Sequence, residues 1–166
     1  MHKFLILTLV FIFFVSCKNN KKDQSLNQST EVNFNIEEWP KKLNVNAKAA
    51  DILNKWLEYQ ELESTFASIY NIDNAEDLSL IIEDLIEKQK AMAESTYPLE
   101  FDTPHIKSRQ LMLKTYILKT KSSLEYRIDF EPPVIEMIDA FNALRNQFNV
   151  ILNSKIDIDL IQGDTN

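Results

Sequence analysis

The chain has 166 residues, 45% hydrophobic and 26% charged, so it can bury a core and is not disordered by composition. Its formal net charge of −7 argues against nucleic acid as a partner, because phosphate backbones call for a basic surface. One glycine, Gly163, and one cysteine, Cys17, exclude glycine-rich phosphate loops, intramolecular disulfides and cysteine-built zinc sites, and make crowded β folds poor solutions.

The N-terminus has three zones. His2 and Lys3 make a short positive start, Phe4 to Val15 is apolar apart from Thr8, and Ser16 precedes Cys17. That run is shorter than the ~20 residues a spanning helix needs, and it has the length of a cleaved signal's hydrophobic region. Phe14-Val15-Ser16-Cys17 resembles a bacterial lipobox, with a small residue before the cysteine and Phe14 in place of the usual Leu, Val or Ile. The resemblance implies a signal peptide over 1–16, removed before Cys17, and a lipid anchor on the Cys17 sulfur. It implies a protein of the cell envelope. Lys18, where an aspartate would signal inner-membrane retention, favours the outer membrane, with the face left open. The whole is similar to small lipoproteins of the Bacteroidota.

Residues 17–36 form the lipidated cysteine and a polar tether of Asn, Lys, Gln, Ser and Thr. Its root-mean-square reach is about 25 Å if disordered. Trp39-Pro40 marks where packing is expected to begin, and the folded domain is expected over 37–155.

Four helices are predicted there. The first spans about Ala47 to Tyr70, with Asn46 as N-cap and Ile52, Leu53, Trp56, Leu62, Phe66 and Ile69 at three- and four-residue steps. The second spans about Ala75 to Ser95, with Asp73 and Glu76 as a capping pair and Leu78, Ile82, Leu85, Gln89 and Met92 in one stripe. Thr103 caps the third, with Pro104 in its first turn, and Ile106, Gln110, Leu113, Ile117 and Leu124 give it a face as far as about Arg127. Pro132-Pro133 opens the fourth, whose near-heptad stripe includes Val134, Phe141, Leu144 and Phe148, ending near Asn153. The expected fold class is all-α, four-helix bundle-like, made of two antiparallel helical hairpins. Residues 156–166 are a tail, where Ile156 to Ile161 reads as a short extended segment or a frayed end.

Catalytic apparatus is sparse. Of two histidines, His2 lies in the signal and His105 in the first turn of the third helix, where an exposed structural role is favoured over a general base or lone ligand. The pairs Glu58/Glu61, Glu83/Glu87 and Glu136/Asp139 each share a helix face, as a solvated acidic surface would require. Asp73, Glu76 and Asp77 fit helix capping better than a calcium loop. Arg109 and Arg145 lie beside apolar stripes, where an ion pair to a neighbouring helix's glutamate is favoured over an anion clamp. Trp56, Phe66 and Tyr70 belong to the core pattern, while Tyr59 and Trp39 are candidate exposed contacts.

These observations lead to an expectation of a membrane-anchored, non-catalytic protein-interaction module: an accessory subunit, adaptor or inhibitor. No catalytic or metal residues and no cofactor are assigned. Its partners are the membrane, through lipid on Cys17, and an envelope protein. The alternatives are a binder of a small apolar ligand in the core and an enzyme using surface carboxylates.

Overall fold

The computed structural model describes residues 36–163, with side chains through Ser154. The signal, Cys17 and the tether through residue 35 lie outside the described residues. The described chain is all-α, with five α-helices and no strand. These are α1 (Ala47–Leu53), α2 (Leu57–Ala67), α3 (Ala75–Glu94), α4 (Pro104–Glu125) and α5 (Glu131–Gly163). Short 3-10 turns lie at Ile36–Glu38 and Ser68–Asn71.

Local chemistry sets most of the boundaries. Asn46 accepts the Ala49 N–H at 2.8 Å and starts α1. Thr103 accepts the Ile106 N–H at 3.4 Å and starts α4, with Pro104 inside its first turn, where a missing N–H costs nothing. The cap of α3 is Asn74, which accepts the Asp77 N–H at 2.8 Å; Asp73 lies one residue too early for that geometry.

The expected helix from Ala47 to Tyr70 is broken, which raises the number of helices from four to five. Lys55 and Trp56 donate to the carbonyls three residues back, Ile52 and Leu53, tightening the end of α1. Trp56 then turns to an extended backbone. This redirects the chain so that Leu53 and Trp56 both enter the core. At the other end the ladder tightens into the 3-10 turn Ser68–Asn71.

The end of α4 shows how a chain nearly devoid of glycine turns. Arg127 has φ 53°, the left-handed region that usually favours glycine. Arg127 donates to the Leu124 carbonyl at 3.2 Å and Ile128 to that of Ser123 at 3.0 Å. These are the two closing bonds of a Schellman cap, and they offset the cost of a side chain in that conformation, ~1 kcal/mol.

Consecutive helices pack antiparallel. Glu61 with Lys88 (3.2 Å) and Thr65 with Asp84 (2.8 Å) mark opposite directions in α2 and α3. The ring pairs Tyr59–Phe148 (5.4 Å) and Phe66–Phe141 (4.1 Å) do the same for α2 and α5. The stripes predicted for α3 and α5 face the core, where Leu78, Ile82, Leu85, Val134, Leu144 and Phe148 are buried. Each such side chain contributes about 1.5–3 kcal/mol. Residues 156–161, expected as an extended or frayed tail, continue the helical backbone of α5 to Gly163.

Candidate functional site

Helix α4 carries the most distinctive exposed surface. Only one side of it is buried, by Ile106, Gln110, Leu113, Ile117, Thr120 and Ser123. On its open side Leu111, Met112 and Leu118 are 63%, 44% and 43% exposed, and Tyr126 and Ile128 follow at its end. These are half of the large hydrophobic side chains exposed among the described residues. Lys107, Lys114 and Lys121 repeat at seven-residue steps, as do Leu111 and Leu118, so leucines and lysines run side by side. With Arg109 and Lys119, α4 carries five cations and one carboxylate, Glu125, in a chain whose net charge is −7.

Beside this face lies a groove of about 250 Å³ between α4 and α5. Arg109, Met112 and Tyr116 form one wall; Glu136, Asp139, Ala140 and Ala143 form the other. The two alanines leave the depth. Lys119 bonds to Glu136 at 2.5 Å and lies 5.9 Å from the Tyr116 ring, closing one end. Neither Arg109 nor Asp139 is ion-paired among the described residues. The arrangement offers an apolar floor, one cation and one carboxylate, all open to a partner.

Arg145 is the opposite case. It is buried, and its Nη1 bonds to Glu63 at 2.6 Å and reaches the Tyr59 hydroxyl at 3.4 Å. Its Nε donates to the Leu43 carbonyl at 2.5 Å, and Lys42 also pairs with Glu63 at 2.5 Å. Burial opposes ionisation of Glu63, but the bonds from Arg145 and Lys42 outweigh it and hold the carboxyl below its ordinary range. Burial pushes the Tyr59 hydroxyl up, so it stays protonated. Arg145 therefore makes the glutamate ion pair that its position in the stripe predicts. Arg109 does not: it stands exposed on the groove.

The structure does not gather the other sequence candidates into one site. His105 is exposed at the start of α4. Glu61 is paired with Lys88, while Glu58, Glu83 and Glu87 stand on helix surfaces. Among the described residues no group of His, Cys, Asp and Glu is placed to hold a metal ion. Tyr59 and Trp39, the candidate exposed contacts, are buried, with Trp39 Nε1 donating to Glu131 at 3.3 Å. Trp56 and Phe66 are buried as expected; Tyr70 is half-buried, with its hydroxyl donating to the Pro40 carbonyl at 2.8 Å. A polar pair went unread: the Tyr97 hydroxyl donates to Gln110 Oε1, and Gln110 Nε2 is buried without a partner among the described residues. The cationic face of α4 was also missed, although a charge count by segment would have shown it. So were Asn142 and Asn149, two amides seven residues apart beside an apolar stripe.

No helix among the described residues is long and apolar enough to cross a membrane. No protein-family model, curated protein or solved structure matches the chain.

Proposed function

We propose that this protein is a lipid-anchored helical module of the cell envelope that works by binding another envelope protein, without catalysis of its own. It serves as an accessory subunit, adaptor or inhibitor, tethered through lipid on Cys17, with the outer membrane the favoured location. In this reading α2 to α5 are a four-helix bundle of two antiparallel hairpins, and α1 is a cap on its entry.

The observation that carries the reading is the face of α4. Leu111, Met112 and Leu118 are exposed together among five cations, beside the groove walled by Ala140 and Ala143. Clustered exposed apolar side chains are costly to leave in water and are typical of contact surfaces; Lys107, Lys119 and Lys121 pair with Asp102, Glu136 and Glu125, and Arg109 and Lys114 are the α4 cations without an ion pair among the described residues. The fitting occupant is an acidic amphipathic helix: its apolar stripe meets Leu111, Met112 and Leu118, and its carboxylates meet the lysine row. The core itself is filled by rings, with Phe101 and Phe148 at 4.6 Å and Trp56 and Tyr97 at 4.9 Å, where a small apolar ligand would need room.

The test is site-specific photocrosslinking in living cells from positions 111, 112 and 118, with position 80 on α3 as control. The reading predicts one dominant adduct, mapped to an acidic helix of the captured protein and lost with Lys114→Glu. Equal yields from position 80, or adducts indifferent to Lys114→Glu, would reject it.

A further inference from the structure

The described chain enters the bundle at one end. Ile36 packs on the core there, Trp39 is buried with its Nε1 donating to Glu131 at 3.3 Å, and the Tyr70 hydroxyl donates to the Pro40 carbonyl at 2.8 Å. Glu131 opens α5 and Tyr70 lies in the turn before α3, so residues 36–40 and the turn from α4 to α5 share this end. That turn presents Tyr126 and Ile128, 75% and 58% exposed, on either side of exposed Arg127. The Tyr126 hydroxyl and the Arg127 guanidinium have no partner among the described residues. The Schellman bonds at Arg127 and Ile128 fix the backbone beneath them, so the three side chains stand on an ordered turn.

Their chemistry suits the boundary between lipid headgroups and acyl chains. Isoleucine is apolar, and tyrosine has an apolar ring with a polar tip. Arginine lays its stem along acyl chains while its guanidinium stays at the phosphates. The other charged groups at this end are mostly acidic. Glu37, Glu38, Asp73 and Asp129 are exposed, and Glu125 is paired with Lys121 at 3.6 Å. Such surroundings give no attraction to anionic lipid, so a membrane contact here is carried by the apolar and aromatic groups.

We propose that the Tyr126–Arg127–Ile128 turn is a second membrane contact, seated in the lipid surface that holds the Cys17 anchor and needing no anionic lipid. The proposal rests on the anchored reading of Cys17. Length supports it. Ile36 lies nineteen residues after Cys17. A random coil of that length reaches about 25 Å, whereas the 22 residues of α4 are ~33 Å long. The entry end is therefore the end that the anchor keeps nearest the lipid. Leu99, 89% exposed in the connection before α4, belongs to the far end. Two exposed side chains bind a bilayer weakly by themselves. A covalent anchor supplies them at about millimolar effective concentration, where a weak contact suffices. Seated this way, the bundle stands on its entry end and keeps Leu111 and Met112 of α4 clear of the membrane.

The mature, lipidated chain in vesicles tests it. Cys17 is the only cysteine, and lipid blocks its sulfur, so Ile128→Cys offers a single thiol for an environment-sensitive fluorophore. Leu99→Cys is the control. In phosphatidylcholine vesicles the label at 128 should shift its emission to the blue and be quenched by lipids spin-labelled near the headgroup. The label at 99 should do neither. Both effects at 128 should shrink with Tyr126→Ser. A label at 128 that behaves like the label at 99, that responds only when phosphatidylglycerol is present, or that ignores Tyr126→Ser overturns the tip contact and leaves the anchor standing. If Ile128→Cys loses its helicity, the label moves to Tyr126→Cys, with Ile128→Ser as the companion variant and the same outcomes. A chain whose Cys17 takes the fluorophore and that leaves the vesicles removes the anchored reading itself, and the tip contact falls with it.

Discussion

Helix α5 is enclosed on several sides: the Phe66 ring of α2 stacks on Phe141 and the Tyr59 ring meets Phe148 edge-on, α4 lies along another flank, and residues 40–46 cover a third. Several of its polar groups are held within the fold, as Arg145 is by Glu63 and Asn142 by the Leu43 N–H. Helix α4 buries one side only and leaves leucines and lysines exposed together. Buried polar groups are held by what they would lose if unpaired. Exposed apolar groups are a standing cost to the isolated protein. So α5 is where substitutions should damage the fold, and α4 is where they should damage only recognition.

The comparison is tested most severely at Phe148. Its ring contacts those of Phe101, Tyr59 and Trp56 at 4.6, 5.4 and 6.5 Å. Phe148→Ala removes the centre of that cluster and should cost about 3–5 kcal/mol in denaturant unfolding. A cost under 1 kcal/mol would show that α5 is not the spine of the molecule.

Arg145→Leu comes next, at about 2–4 kcal/mol. It removes the Arg145 bonds to the Tyr59 hydroxyl and the Leu43 carbonyl, though Glu63 keeps Lys42. The same pair sets a pH dependence. The Glu63 carboxyl ionises more readily folded than unfolded. Its contribution is therefore complete above the unfolded carboxylate pKa and is lost as pH falls through the lower, folded one. Glu63→Gln should flatten that part of the acid-unfolding curve, and an unchanged curve would mean that the pair does not form.

Asn149→Ala should cost about 1–2 kcal/mol, since it removes the bonds to the Asn46 N–H and the Asn44 carbonyl and leaves the helices intact. Hydrogen exchange sharpens this. The amide of Asn46 should lose protection while those of Ile138 and Leu144 keep theirs.

The stripes of α3 and α5 were legible because burial on one side imposes a three-and-four spacing that survives in the sequence. Thr103-Pro104 was legible for a similar reason: the cap and the missing N–H act within one turn. The break after Leu53 was not. It contains no glycine or proline, and the chain bends there because tertiary burial of Trp56 outweighs local helix propensity. Trp39 and Tyr59 were misread as exposed for a related reason. Their partners, Glu131 and Arg145, lie far along the chain, and no local pattern reports a contact of that range. The groove was half legible: Arg109 and the Glu136/Asp139 pair drew notice separately, but only the packing of α4 on α5 brings them together.

The smallest expected effect on stability bears most on function. Leu111→Ser and Leu118→Ser remove side chains that are 63% and 43% exposed, so little burial is lost. Each should shift unfolding by no more than about 0.5 kcal/mol in either direction. If the face binds a partner helix, the double variant should still abolish the crosslink from position 112, because desolvated apolar anchors carry most of a contact's energy. A stable variant that keeps its partner would detach recognition from α4. A variant that unfolds would mean that the leucines are held by the fold after all, and the division between the two helices would fail at its exposed end.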